Sequence, residues 1–548
     1  NNNSCNKNNG YNVMYQQTRN ASVKNKFRYP NNLKKQLKSF TLYGKNEKLL
    51  DKRVIKYRRH LANRLNIIHN KNYNINYWGF LIDTFLVDFI GALISEQDSL
   101  NELIKKNKNL SIDYQDESIK SYDSQFFFGN LYNPKFQNFF LYLVAKRLKI
   151  NSNKKKKSYI YNFNHPKSNS ANICRYILNI LVKIFKPSLI ENDYKKLRYK
   201  FFDLKKEKKN YYLFFKSKIF NNHIDYSINS ELRLKLKLSG SLDSLDKHFN
   251  DLIIYYFPAS YLENFEKIRL MHKNFIDKTK LFIGTSMYRY SDFLKILLAE
   301  KKYIKKKKIY CCSHSAFENL RKKSRSYNFL RKYSNKYFPY LSKKNKIFNK
   351  CNNFKIKKFK EDESEKKIII FGSVTRAFHS NNFYICSKEN HPYCSSDLKF
   401  YKLLDKEIKK KTFIKLFPST KHSYKITKEM WTLSENKHIN FFEKNVRFSD
   451  LHKFDLLVLT EFSTAVFESL LSDRPFIIIY ENSILNLKNN IKKKFLKLKK
   501  YKILFKNSHS AAKYINLNYE NFLNNWNRVV KTEEYNDLKK TLLIDKSN

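Results

Sequence analysis

The residues best placed for chemistry fall between Asp455 and Tyr480. An apolar run, Asp455 to Leu459, breaks at Thr460-Glu461-Phe462, and Ser463-Thr464 then opens a segment of helical spacing with Glu468 one turn in. A helix that starts directly after a buried strand presents free backbone N–H groups and the positive end of its dipole, so it attracts anions. The Ser463 and Thr464 hydroxyls add donors, and a diphosphate fits such a place. Glu468 lies too far along to cap the helix, and its carboxylate suits sugar or ribose hydroxyls. The plain alternative is an ordinary N-cap with a solvated glutamate.

Three further groups follow the ends of other apolar runs. His314 comes after Ile309 to Cys312, Arg376 after Ile368 to Gly372, and Lys415 sits inside Thr412 to Phe417. An imidazole at a strand end serves as a general base or a phosphate contact, or else holds a turn. The two cations suit a departing diphosphate, or they are solvated members of a set of 109 Lys and Arg. His379, His391 and His422 have no ligand spacing, and Trp431 is expected to pack the sheet. Neither a metal nor a cofactor is expected.

The elements that must position these residues alternate. Leu281 to Gly284 and Ile309 to Cys312 read as buried strands, with a helix capped by Ser291-Asp292 between them and running to about Lys301. A second series has strands at 367–372, 412–417, 455–459 and 476–480, with helices at 397–411 and from Ser463 to Leu471. The first of these helices should bury Leu403, Leu404 and Ile408 on one face. Repeated β–α alternation predicts an α/β fold with parallel sheets, whose ligands bind beyond the carboxyl ends of the strands. Residues 46–150 read as helical, and Trp78 to Ile94, interrupted by Asp83 and Asp88, as a buried helix rather than a membrane span. The expected organisation is an unstructured segment over 1–45, an α/β domain over 46–342, a charged linker over 343–365 and a second α/β domain over 366–548.

Composition narrows the function class. A hydrophobic share of 42% is that of a globular chain, while a formal charge of +61 invites polyanion partners: nucleic acid, an anionic membrane or a phosphorylated substrate. Over-use of Lys, Asn, Ile, Tyr and Phe, with only 8 Gly and 9 Pro, also fits a codon bias. Seven scattered cysteines, without a CxxC pair, suit a reducing, cytoplasmic compartment. P-loop, G-x-G-x-x-G, G-x-S-x-G and H-E-x-x-H motifs are absent, against a P-loop NTPase, a dinucleotide oxidoreductase, a serine hydrolase and a zincin.

Several stretches resemble, in order, the transferases of bacterial O-antigen and surface-polysaccharide loci, and the 455–480 segment resembles the donor unit of GT-B glycosyltransferases. They are Leu65 to His69 with Tyr77-Trp78, Phe257 to Glu263, Ile283 to Asp292, Lys308 to His314, Lys415 to Trp431, and Ser463 to Pro475. The resemblance implies two Rossmann-like halves with a helical N-terminal region. It also implies a nucleotide-sugar donor and a polysaccharide or lipid-linked acceptor, with peripheral contact to the inner face of an anionic membrane. In it His314 is the catalytic base, while Arg376, Lys415, Ser463, Thr464 and Glu468 hold the donor. The family's glycines after the histidine are replaced by Ser315 and Ala316, so a transferase fold without activity is one alternative. A basic RNA-associated protein is another, although lysines are dispersed and no RNA-binding motif occurs; no specific nucleic acid is expected.

Overall fold

The computed structural model describes residues 43–106, 111–114, 123–124, 127, 134–154, 188–191, 212–215, 227–271, 281–284, 291–312, 320–321, 325–338, 367–371, 396–416, 431, 439–442, 454–460, 462–480 and 487–543. The chain divides into two compact units, the first taking most of 1–310 and the second most of 311–548.

The first unit opens with two long helices, Tyr43–Ile68 and Ile75–Lys106, packed on one another. Their turn is built by asparagines. Asn70 takes a left-handed φ of 49°. The Asn66 amide donates to the Tyr73 carbonyl (2.8 Å), and its oxygen accepts from the Tyr73 amide (3.0 Å) and the Trp78 indole (2.7 Å). The second helix is long and apolar enough to cross a membrane, yet that apolar stretch is covered by protein. Phe85 packs on Phe257 and Phe89 on Phe249, while Arg58 pairs with Asp83 (2.6 Å).

Helix Asp292–Ala299 starts as its cap predicts, with the Ser291 side chain accepting from the Leu294 amide. Beyond Ala299 it widens into a π turn, Glu300–Ile304, where the sequence pattern predicts the helix to continue to about Lys301. Glu300 Oε1 there accepts from Tyr77 (2.7 Å), Tyr73 (3.2 Å) and Arg269 (3.0 Å). About two turns earlier, Asp292 accepts from Ser260, Tyr261 and the Ser124 amide, and Lys295 donates to Thr84 (2.6 Å) and the Leu81 carbonyl. The residues behind the resemblance in this unit thus hold one another in place.

Burial in the π turn pushes the Lys301 ammonium down to about 7 from 10.5. Below about pH 7 the folded chain bears the full cost of that buried cation. The cost fades as pH rises toward the ordinary lysine value, because the unfolded chain then loses its proton as well. Lys301→Met should therefore stabilise the protein by about 4 kcal/mol near neutral pH and by almost nothing above pH ~10.5. Denaturant midpoints of variant and parent at acid and alkaline pH check this; a gain that does not change with pH counts against it.

The strands are β1 (Ser111–Tyr114), β2 (Asn151–Lys154), β3 (Ser188–Glu191), β4 (Tyr212–Phe215), β5 (Leu281–Gly284), β6 (Lys308–Cys312), β7 (Lys336–Phe338), β8 (Ile368–Phe371), β9 (Thr412–Lys415), β10 (Asn440–Phe441), β11 (Leu456–Leu459), β12 (Phe476–Ile479) and β13 (Leu504–Phe505). The first two form a small parallel pair, which the helical reading of 46–150 did not anticipate. A five-stranded sheet has the order β4-β3-β5-β6-β7, with β3 parallel to both β4 and β5.

The second unit is built on a six-stranded sheet of order β10-β9-β8-β11-β12-β13, parallel at every junction. Its central strands are apolar along their whole length because both faces are covered; Ile368 to Ile370, Leu456 to Leu459 and Phe476 to Ile479 are all buried. Asp455 ties the first residues of β8 and β11 together: its carboxylate accepts from the Lys367 amide (2.7 Å) and its amide donates to the Lys367 carbonyl (2.8 Å). The expected helix over 397–411 is two short ones, Ser396–Lys402 and Lys406–Lys410. Asp405 restarts the helix as N-cap, which turns Leu403 outward (43% exposed) while Leu404 stays buried.

Candidate anion site at the reversal of the second sheet

From β8 the chain order runs outward through β9 and β10, and from β11 it runs outward the other way through β12 and β13. Connections that leave two adjacent strands in opposite directions open a crevice at their carboxyl ends. The β11 side of that crevice is the turn at Thr460 and the helix Thr464–Ser472.

Local sequence explains this helix. Val466, Phe467 and Leu470 are buried, while Thr464, Ala465 and Glu468 make up the half-exposed stripe, so Thr464 and Glu468 share one face. Ser469 donates to the Ala465 carbonyl, and the far end closes at Asp473 in a left-handed turn (φ 56°). At the near end Ser463 has the extended backbone of an N-cap (φ −122°, ψ 177°), but its side chain makes no capping hydrogen bond. The half-exposed hydroxyl is therefore not spent on the helix, unlike the Ser291 hydroxyl and the Asp243 carboxylate, which cap theirs.

Thr460 was not among the expected site residues. Its hydroxyl oxygen is buried at the end of β11 and has no hydrogen-bond partner among the described residues. A buried polar group left unpaired costs about 1–3 kcal/mol, so an orphan in a native fold calls for an explanation, such as a ligand it serves. Its position, next after four buried apolar residues, was visible in the sequence; its lack of a partner was not.

Lys415 is the last residue of β9 and is in register with Phe371 at the end of β8. Its ammonium lies 4.6 Å from the centre of the Phe371 ring. Burial pushes the lysine down from its ordinary value, and the carboxylate of Glu468 acts the other way. The fold thus sets Lys415 within electrostatic reach of Glu468, 53 positions away in sequence, which shares a helix face with Thr464. The arrangement offers helix amides, three hydroxyls, one cation and one carboxylate, a set suited to an anion attached to a hydroxylated group. Arg376, His314, His379, His391 and His422 lie outside the described residues. Trp431 packs edge-on against Tyr401 in the core, as expected. Among the described residues, no group of His, Cys, Asp and Glu gathers as metal ligands.

The family profile of the LIC12162 family transferases matches residues 12–532. No curated protein matches the chain.

Proposed function

As a member of the LIC12162 family of transferases, the chain is an enzyme that carries a group from a donor to an acceptor, and we propose that the donor is a nucleotide-activated sugar bound at the reversal of the second sheet. What carries this reading is the helix N-terminus at Ser463, together with the Thr460 hydroxyl, buried and unpaired among the described residues, and with Lys415 under the electrostatic influence of Glu468 in the same helix.

The roles follow from the chemistry of each group. The first-turn amides and the Ser463 and Thr464 hydroxyls take the diphosphate oxygens. Lys415, with Arg376, offsets the charge that grows on the diphosphate as its bond to the sugar breaks. Glu468 accepts from ribose or sugar hydroxyls. An acceptor hydroxyl attacks the anomeric carbon, the carbon–oxygen bond to the diphosphate breaks with its electron pair leaving on phosphate, and His314 takes the acceptor's proton. The acceptor is a surface polysaccharide or its lipid-linked precursor. The architecture is GT-B-like, with two Rossmann-like halves. Parallel strands, and an order in the second sheet that reverses beside the helix, support that.

Thr464→Ala should remove one of several diphosphate contacts and weaken nucleoside-diphosphate binding by about 1–2 kcal/mol, or roughly 5–30-fold, with little change in folding. Calorimetric titration with nucleoside diphosphates and nucleotide-sugars measures it. A parent protein that binds none of them, or a variant that binds them equally well, overturns the reading.

A further inference from the structure

The sequence from Lys488 to Lys506 contains nine lysines, and neither Asp nor Glu occurs between Glu481 and Glu520. The density is local as well as compositional. In the structure this stretch is the helix Asn489–Lys497, a 3-10 turn Leu498–Tyr501, and the short strand β13. Its inner face is fixed in the core of the second unit by Ile491, Phe495 and Leu498, at helical spacing. The outer face therefore belongs to a rigid, folded surface and not to a loose tail.

Two of the nine lysines have carboxylate partners: Lys494 with Asp537 (2.6 Å) and Lys500 with Glu534. Seven remain without one among the described residues: Lys488, Lys492, Lys493, Lys497, Lys499, Lys502 and Lys506. Among them Leu496, one of the few large apolar side chains the second unit leaves exposed (36%), points outward with Lys492 and Lys493 one turn before it and Lys499 and Lys500 one turn after.

We propose that this face docks on an anionic lipid bilayer, with the lysines on the headgroups and Leu496 reaching toward the acyl boundary. Charge complementarity selects an anionic partner, since each lysine close to such a membrane contributes about 1 kcal/mol. The details favour lipid over RNA. The face carries lysine alone, with no arginine between Arg474 and Arg528 to supply a bidentate fork for phosphates or bases. Its one aromatic, Tyr501, is half-buried and donates to Glu534 (2.6 Å), so no exposed ring offers a stacking surface. Long, flexible ammonium stems around an apolar side chain match a headgroup layer, where the stems lie along the interface and the charges reach phosphate. The inference uses no residue of the donor site, and each can fail without the other.

The test is flotation of the full chain with vesicles of phosphatidylcholine alone and of phosphatidylcholine mixed with phosphatidylglycerol. The parent should float with the mixed vesicles only, and less at high salt. Lys488→Glu, Lys493→Glu, Lys497→Glu and Lys499→Glu together should weaken that partition at least about tenfold. The same charge change placed elsewhere, at the exposed Lys52, Lys235, Lys247 and Lys406, should weaken it much less. Leu496→Ser, which leaves every charge in place, should weaken it measurably. Circular dichroism verifies folding, and glutamine replaces glutamate at the four sites should that variant unfold. Equal losses from both sets of four would mean that bulk charge alone is at work. Binding of single-stranded RNA through this face, with no flotation, would assign it to nucleic acid. Either result overturns the proposal.

Discussion

Ser463→Asp should make the second unit more stable and nearly abolish donor binding, two effects of opposite sign from one substitution. Ser463 has the backbone of an N-cap but makes no side-chain cap. An aspartate there would accept from the first-turn amides and sit at the positive end of the dipole, worth about 0.5–1 kcal/mol. The same carboxylate would occupy the amides a diphosphate needs and oppose its charge. Two unit charges about 5 Å apart at an effective dielectric near 20 repel by about 3 kcal/mol, which lowers affinity about 100-fold. Ser463→Gly separates the causes, since glycine is a tolerable N-cap that leaves the amides open and should cost only the hydroxyl contact. Denaturation midpoints and donor titration on the three proteins suffice. An aspartate variant that binds donor normally removes the helix N-terminus from the site.

In the first unit the largest single loss is expected at Glu263. Its carboxylate meets Arg233 through Nε–Oε1 (2.6 Å) and Nη2–Oε2 (3.2 Å), and the two side chains are only 3% and 1% exposed. Arg233 also donates to the carbonyls of Ile254 and Tyr255, and Glu263 accepts from the Asn229 amide. Glu263→Ala leaves a buried guanidinium without its counter-charge and should cost about 3–5 kcal/mol. Replacing both partners by apolar residues of similar volume, Arg233→Met with Glu263→Leu, should recover most of that, because no uncompensated charge is left behind. Urea unfolding followed by tryptophan fluorescence, with Trp78 as the reporter in this unit, distinguishes the two. If the single and the double variant lose the same stability, the pair is not acting as a buried ion pair.

Legibility followed the physics of each element. The strands β5, β8, β11 and β12 and the helices at Asp292 and Thr464 were readable, because continuous apolar runs of four or five residues end at capping residues. The strand β2 reads Asn-Ser-Asn-Lys and has no apolar residue to betray it. At Leu403 the helical period continued through a break that only Asp405, as a new N-cap, announced. The site divides in the same way. Ser463 and Thr464 follow from local sequence, since strand, cap and helix are contiguous. The meeting of Lys415 and Glu468 does not, because it depends on β9 lying beside β8 and β8 beside β11. Thr460 was in view, but whether a hydroxyl finds a partner is decided only by the packed fold.

The buried helix Ile75–Lys106 sets a timing problem for synthesis of the chain. Its neighbours come late: Phe249 and Phe257, and then the Lys295 ammonium that donates to Thr84 and to the Leu81 carbonyl. Roughly 200 residues are added after this helix's central segment before that last donor exists, which at about 5–20 residues per second is some 10–40 s. For that interval a stretch apolar enough to enter a bilayer is without its final cover. A nascent chain of this sequence is therefore a ready client for ribosome-associated chaperones, with the helix 75–106 as the segment they would grip.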